Sequence, residues 1–184
     1  MILFASRYGK NFDADVKKWR YLSLFALCGS FWIEISALAF PQYFLLIASL
    51  ANVGKNICFL LSSASRASIH LRFAKSNNIA DIQGKGVSQF TASTLLGTGA
   101  GLVLSKAIDV TSLSQLTPCF LALSLVQMAT THSSCKIVDE IYLNNERANM
   151  VFDGFFESGC KYFMSCRTVN SREKYYCPSF LNDQ

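Results

Sequence analysis

Charged residues are scarce in this sequence. Asp, Glu, Lys and Arg make up 16% of its 184 residues, against about 25% in soluble globular chains. The net charge of +5 is small and scattered, so the chain lacks the dense basic patch of a nucleic-acid-binding protein, although it suits contact with an anionic membrane surface. Because 51% of the residues are hydrophobic and the mean hydropathy is +0.28, the composition predicts a membrane protein of one domain.

The sequence also lacks the usual motifs of catalytic and metal sites. None of the seven cysteines forms a C-x-x-C pair, and most lie in apolar segments, where a free Cys packs as a small hydrophobe. The two histidines, His70 and His132, have no triad-like context. The glycines between Gly97 and Gly101 lack the spacing of a nucleotide-binding loop. We therefore predict no catalytic residue, no metal site and no resident cofactor.

Long runs without charge divide the chain. Glu34 is the only charged residue between positions 21 and 54, and residues 87–105 contain none. A membrane-spanning helix needs about 20 mostly apolar residues. The pattern predicts an all-α, membrane-embedded helical bundle with two to four apolar spans. The candidate spans cover residues 21–40, 43 to the early 70s, 87–105, and 117 to beyond 135.

Capping residues predict where these helices begin and end. Asp13 is placed to cap the first span, and Pro41 stops it. Thr117 followed by Pro118 predicts the start of the fourth span, with proline at the first helical position. After the spans, residues 146–158 read as an amphipathic helix closed by Gly159. We predict one helical domain over residues 1–160 and a polar, loosely ordered tail over residues 161–184.

A polar stripe follows the second span. In a continuous helix its members fall within an arc of roughly 80°. Cations inside apolar spans usually face a bundle interior or an aqueous cavity, and Glu34 is a natural partner for one of them. Two readings stay open: a path or site for an anion, polar ligand or lipid headgroup, or structural pairing with snorkelling to water. The stripe consists of Asn52, Lys55, Ser62, Arg66 and His70.

The third span carries small residues at every fourth position. Ser93, Gly97, Gly101 and Ser105 therefore share one face for three turns. In a bilayer such a face permits close helix packing. In a soluble protein it would be a glycine-rich packing face, where each glycine weakens the helix by about 1 kcal/mol relative to alanine. The nineteen uncharged residues favour the membrane interpretation.

The polar loop between the second and third spans resembles a family signature. Ser65-Arg66-Ala67, followed by Asn77-Asn78, Ala80-Asp81 and Lys85, is similar to the central motif of the root UVB sensitive family. Asn and Asp also form side-chain turns that cap helix ends, so a purely structural role for this loop stays open. The positions that match the signature are Arg66, Asn77, Asn78, Asp81, Lys85 and Gln89.

This resemblance implies a helical, membrane-associated protein without an assigned reaction. Plant members are associated with seedling and root development, auxin transport and vitamin B6 homeostasis, partly in plastids and partly through pairing between family members. Relative to the family, the chain looks truncated at both ends, and no targeting signal is present in it. We expect an integral membrane protein, in a plastid or another organelle.

The expected function is that of a non-enzymatic membrane protein acting in development. It would serve as a small-molecule carrier or as an assembly partner of related proteins, with the lipid membrane and other family members as partners and no nucleic acid. The alternative is a soluble or peripheral helical regulator, or an enzyme linked to pyridoxal phosphate that uses Lys55 or Lys85.

Overall fold

The fold consists of helices and turns throughout the part of the chain that the structure describes. The structure is a computed structural model, and it describes residues 15–74, 78–109, 111–138 and 145–172. No strand occurs within those ranges, which confirms the all-α prediction. The helices are α1 (Val16–Ser36), α2 (Phe44–Phe73), α3 (Ile79–Ala107), α4 (Leu113–Ile137), α5 (Asn145–Glu157) and α6 (Cys166–Arg172), with a 3₁₀ turn at Pro41–Tyr43.

Three of these helices are long and apolar enough to cross a membrane, judged by length and composition. They are Pro41–Phe73, which includes the 3₁₀ turn, then Ile79–Ala107 and Leu113–Ile137. This number lies within the predicted two to four. The first predicted span is not among them, because α1 begins at Val16 and so includes the charges of Lys17, Lys18 and Arg20 as well as Glu34.

Two predicted helix boundaries were wrong. The fourth span begins at Leu113 and not at Thr117, and Pro118 lies inside α4. The Thr117 hydroxyl donates a hydrogen bond to the Leu113 carbonyl at 2.7 Å, which is a bond along the helix and not a cap. Asp15, and not Asp13, occupies the cap position of α1, where its side chain makes no capping hydrogen bond. Asp13 lies outside the described residues.

Helix α1 lies at the centre of the packing. It packs against α2 most extensively and also against α4, while α3 packs against α2. Trp19 of α1 and Leu61 of α2 are fully buried, with Leu22, Ile57 and Ala64 around them. The apolar side of α2, opposite its polar stripe, therefore forms the core contact with α1.

A second contact joins α1 to α4. Tyr21, Leu24 and Cys135 form a buried cluster, and the Tyr21 hydroxyl lies 2.5 Å from Nδ1 of His132. Buried tyrosine hydroxyls generally find such a partner. The contact fixes the rotation of α4 about its own axis relative to α1.

Helix α3 is almost entirely exposed. None of its described residues is buried, and Leu96 and Val103 have 76% and 71% of their surface accessible. Contiguous apolar surface of this extent is unusual on a soluble monomer and marks contact with a membrane or another protein.

Helix α5 confirms the predicted amphipathic helix near the C-terminus. Gly159 ends it with a positive φ of 67°, and the Cys160 amide donates to the Phe155 carbonyl at 3.0 Å. Lys18 of α1 forms an ion pair with Glu146 of α5. Nη2 of Arg147 lies 3.9 Å from Oδ1 of Asp15. These contacts attach α5 to the start of α1. Within the predicted polar tail, residues Cys166–Arg172 form a helix, and residues 173–184 lie outside the described ranges.

Candidate functional site: a cation-lined groove between three helices

The polar stripe of α2 lines a groove with a volume of about 510 Å³. Four of its five predicted members, Lys55, Ser62, Arg66 and His70, face this groove together with Gln83 of α3. The structure thus places these four stripe residues together, and their role as a ligand path stays a prediction. Asn52 is exposed and is not among the residues that line this groove.

The remaining walls of the groove are apolar and aromatic. They include Leu27 of α1, Phe59 of α2 and Val87 and Phe90 of α3. The Arg66 guanidinium lies 4.9 Å from the centre of the Phe90 ring. At this distance a cation is attracted to the face of an aromatic ring. The groove thus combines an apolar body with a few polar groups, as small-molecule sites usually do.

Lys55 lies at one end of the groove with its charge already paired. Its Nζ donates a hydrogen bond to Oε2 of Glu34 at 2.5 Å and lies 5.2 Å from the centre of the Phe31 ring. The predicted partnership between Glu34 and a cation of α2 is present. Glu34 thus pairs with Lys55, whereas Arg66, further along the stripe, has no carboxylate partner among the ion pairs of the described residues.

The approach of α3 to α2 depends on a glycine. A Cβ atom placed on Gly86 would lie 2.7 Å from Cε1 of His70, which is closer than non-bonded atoms approach each other. Glycine at this position allows the imidazole of His70 to lie against the backbone of α3. On the side of the stripe nearer to α1, the Ser62 hydroxyl donates to the Ser23 hydroxyl at 3.2 Å.

A second groove of about 280 Å³ adjoins the first through Arg66. Its polar lining includes Lys17 and Arg20 of α1 and Arg66 of α2, and no Asp or Glu is among its described lining residues. Burial lowers the pKa of Arg20 below its ordinary value, and the nearby Arg66 charge lowers it further. The apolar lining consists of Ile69, Phe73, Ile137 and Val138.

Beyond Arg66 and its neighbour Ala67, the signature residues that the structure describes lie outside both grooves. Asn78 occupies the cap position of α3, where its side chain makes no capping hydrogen bond. Lys85 donates to Asp81 at 2.7 Å on an exposed helix face. Gln89 is exposed, and Asn77 lies outside the described residues. The structure therefore separates the signature into the groove residues Arg66 and Ala67 and a solvent-facing set at the start of α3.

The small residues of α3 do share a helix, but no described helix packs on them. Ser93, Gly97, Gly101 and Ser105 are all exposed. A Cβ atom placed on Gly97 or Gly101 would have no other atom within 4 Å beyond its own helix backbone and neighbours. Their role in helix packing stays a prediction.

Several site residues escaped the sequence reasoning. Gln83 lines the first groove beside Val87 and Phe90. The spacing i, i+4, i+7 of these three residues places them on one face of α3, and this pattern could have indicated Gln83 from the sequence. Arg20 carried no signal, because its meeting with Arg66 depends on how α1 and α2 pack. No group of three His, Cys, Asp or Glu side chains suited to a metal ion occurs among the described residues.

Together, the fold and the grooves define an all-α protein with three long apolar helices and a cation-lined cleft. Its sequence matches the vitamin B6 photo-protection and homoeostasis domain over residues 1–159. The chain belongs to the root UVB sensitive family. No solved structure matches it.

Curated relatives of the chain come from plants and from a social amoeba. Protein root UVB sensitive 6 of Arabidopsis thaliana is 30% identical over 100% of this chain and 35% of its own length. RUS family member 1 of Dictyostelium discoideum is 31% identical over 85% of this chain and 30% of its own length. Protein root UVB sensitive 2, chloroplastic, of Arabidopsis thaliana is 28% identical over 85% of this chain and 36% of its own length. The chain spans about a third of the length of these relatives.

Proposed function

We propose that this chain is an integral membrane protein that carries a small polar or anionic molecule in vitamin B6 homeostasis. The observation that carries this proposal is the position of Arg66 and His70, which face a groove on a helix that is long and apolar enough to cross a membrane. Charged groups within such helices usually mark a substrate or ion path. The family description supplies the link to vitamin B6.

Membrane integration is supported by the exposure of the apolar helices. In the most apolar stretches of α3 and α4, no residue is buried by the rest of the described chain. Hydrocarbon would cover these surfaces at no hydrophobic cost, whereas each exposed leucine in water forfeits about 1.5–3 kcal/mol of burial energy. The lipid membrane is thus the first proposed partner. One relative is named as chloroplastic, so a plastid is one proposed location and another organelle the alternative.

The size and lining of the groove support a small ligand. A volume of about 510 Å³ lies within the range of about 300–1,000 Å³ that is usual for small-molecule sites. Phe59 and Phe90 provide surface for a planar ring, while His70 and Gln83 provide hydrogen-bonding groups. A vitamin B6 compound has this combination of a flat ring and polar substituents.

Alkaline carbonate extraction followed by uptake measurements tests the proposal. The tagged chain should stay in the membrane pellet, and proteoliposomes containing it should take up labelled pyridoxal phosphate or pyridoxine. Arg66→Gln should reduce uptake at least tenfold. Lys106→Gln, which removes an exposed charge from α3 outside both grooves, should leave uptake unchanged. Release by carbonate, or equal uptake by both variants, would contradict the carrier.

A role as an assembly partner of related proteins is the second candidate. It is favoured by α3, whose small-residue face has no described helix against it. The double variant Gly97→Ile, Gly101→Ile should then abolish cross-linking between co-expressed family members. Uptake by the variant chain that is still present in the membrane should persist.

The pyridoxal phosphate enzyme is the remaining alternative, and it requires a lysine that forms an imine. Lys55 and Lys85 are held in ion pairs with Glu34 and Asp81, and a lysine must leave such a partner before its nitrogen can attack an aldehyde. An imine absorbance band of the purified protein that disappears in Lys55→Gln or Lys85→Gln would favour this alternative over the carrier.

A further inference from the structure

Two arginines from different helices meet in the second groove. Arg20 comes from the first half of α1 and Arg66 from the last third of α2, and both line the same cavity of about 280 Å³. Among the described ion pairs, neither guanidinium has a carboxylate within 4 Å. The fold therefore brings two like charges to one partly buried place.

Such an arrangement is unfavourable unless an anion compensates it. Like charges at short range repel each other, and burial makes the repulsion stronger because the effective dielectric constant falls. The lowered pKa of Arg20 has these two causes, burial first and the charge of Arg66 second. An anion between the two arginines would remove the repulsion and supply hydrogen-bond acceptors to both.

The position of Arg66 suits this role. Its guanidinium carbon lies over the Phe90 ring, 4.9 Å from the ring centre, so an aromatic contact holds the side chain in place. The edge of a guanidinium carries its N–H donors, whose fork matches the oxygens of a phosphate or carboxylate. Arg66 also borders both grooves, so an anion bound to it in the second groove would belong to a molecule whose body reaches the aromatic lining of the first.

We propose that Arg20 and Arg66 form a binding site for the phosphate or carboxylate group of an amphipathic molecule. Lys17 lies in the same lining, and the apolar side chains Ile69, Phe73 and Ile137 surround the charged group. The same chemistry fits a soluble organic phosphate and the headgroup of an anionic phospholipid. This inference deepens the proposed function by naming the charged group of its ligand, but the site stands even where no transport follows.

Binding to the purified chain in an uncharged detergent tests the site. The change in tryptophan fluorescence reports on ligands added one at a time; of the two tryptophans, Trp19 is the neighbour of Arg20 in the sequence. The probes are pyridoxal phosphate, pyridoxal without phosphate, inorganic phosphate, and nanodiscs of phosphatidylcholine with or without phosphatidylglycerol. Pyridoxal phosphate should bind at least tenfold more tightly than pyridoxal, and inorganic phosphate should compete with it.

The variants Arg20→Gln and Arg66→Gln should each weaken pyridoxal phosphate binding at least tenfold. Arg20→Lys should restore part of the affinity, since it keeps the charge and loses the fork. Lys106→Gln is the matched control, and thermal unfolding of each variant shows that it is folded. If the variants do not fold, the comparison of pyridoxal phosphate with pyridoxal on the unaltered chain still decides whether the charged group is recognised.

Distinct outcomes separate the ligand sources and the two proposals. Binding of phosphatidylglycerol nanodiscs that depends on Arg20, without binding of soluble phosphates, assigns the site to a lipid headgroup. Equal affinities for pyridoxal phosphate and pyridoxal, with no lipid preference, overturn the proposed site.

Asp139 and Glu140 follow Val138 in the sequence but lie outside the described residues. If anion binding appears only after Asp139 and Glu140 are both changed to amides, the arginines form structural ion pairs with these carboxylates. The proposed ligand site is then overturned. Arginine-dependent binding without uptake overturns the carrier alone.

Discussion

Lys55 Nζ donates a hydrogen bond to Oε2 of Glu34 at 2.5 Å and so joins α2 to α1. Both side chains remain partly accessible, at 31% and 49%. The pair lies near the close contact between Ser30 of α1 and Gly54 of α2. It joins the two helices on the face of α2 that also carries Arg66 and His70.

Breaking this ion pair should cost little stability when both partners are removed together. Glu34→Gln alone leaves Lys55 without its carboxylate and should lower the free energy of unfolding by about 1 kcal/mol, the upper end for partly exposed pairs. The double variant Glu34→Gln with Lys55→Gln should be closer to the unaltered chain. A double-mutant cycle of thermal unfolding in detergent measures the coupling. Strict additivity of the two single effects would show that the pair does not hold the helices.

Gly54 should tolerate no large side chain. A Cβ atom there would lie 2.1 Å from the Ser30 hydroxyl oxygen and 3.3 Å from its Cβ. Gly54→Leu must therefore push α1 and α2 apart, and overpacking of this kind typically costs about 1–3 kcal/mol. Gly29→Leu, on the partner helix α1, is the control, because nothing lies within 4 Å of a Cβ there. Equal melting temperatures for the two variants would contradict the close approach.

Removing the charge of Glu146 should release α5 from α1. Lys18 forms an ion pair with Glu146, and its own side chain is only 1% accessible. In Glu146→Gln this buried ammonium loses its anion, a change that typically costs about 1–3 kcal/mol. Amide hydrogen exchange of α5 should become faster while that of α2 stays the same. Glu157→Gln, at the other end of α5 and exposed, is the control; equal exchange in both variants would show that the ion pair does not dock the helix.

Asp109, in the connection between α3 and α4, should titrate below the ordinary range of aspartate. The Thr111 hydroxyl donates to its Oδ1 at 2.7 Å, and the Thr111 amide donates at 3.0 Å. Both bonds lower the pKa of Asp109 because they favour the carboxylate, and the bond from the hydroxyl has the larger effect. The stabilisation is present above the unfolded-state pKa and is lost as pH falls through the lower folded-state pKa. Carboxyl carbon shifts in an NMR titration check this, and Thr111→Val should raise the pKa toward its ordinary value. An unchanged pKa in that variant would contradict the hydroxyl contribution.

The sequence predicted the elements that depend on a single helix. The period of 3.6 residues places Lys55, Ser62, Arg66 and His70 on one face whatever surrounds them, and the structure puts these four on the groove. The same period places Leu61 on the opposite face, where it is fully buried. Asn52, which lies nearer the start of α2, is not among the residues that line the groove.

Helix boundaries were less predictable where two local signals competed. Thr117 followed by Pro118 is a common start of a helix, yet α4 extends one more turn before it. A proline removes one helical hydrogen bond, and the Thr117 hydroxyl instead bonds back to the Leu113 carbonyl. Whether a helix starts at such a proline or continues through it cannot be read from the residue types Thr and Pro alone.

Sequence alone predicted a helical protein with two to four apolar spans, of which the structure shows three, and a cationic face on α2. Each of these follows from composition and from periodicity along one helix. The tertiary structure alone decided that Arg20 joins Arg66, that Tyr21 reaches His132, and that Gln83 completes the groove. Such contacts depend on the rotation and register of one helix against another, which are set by the packing of Trp19, Leu61 and Gly54 and have no period in the sequence.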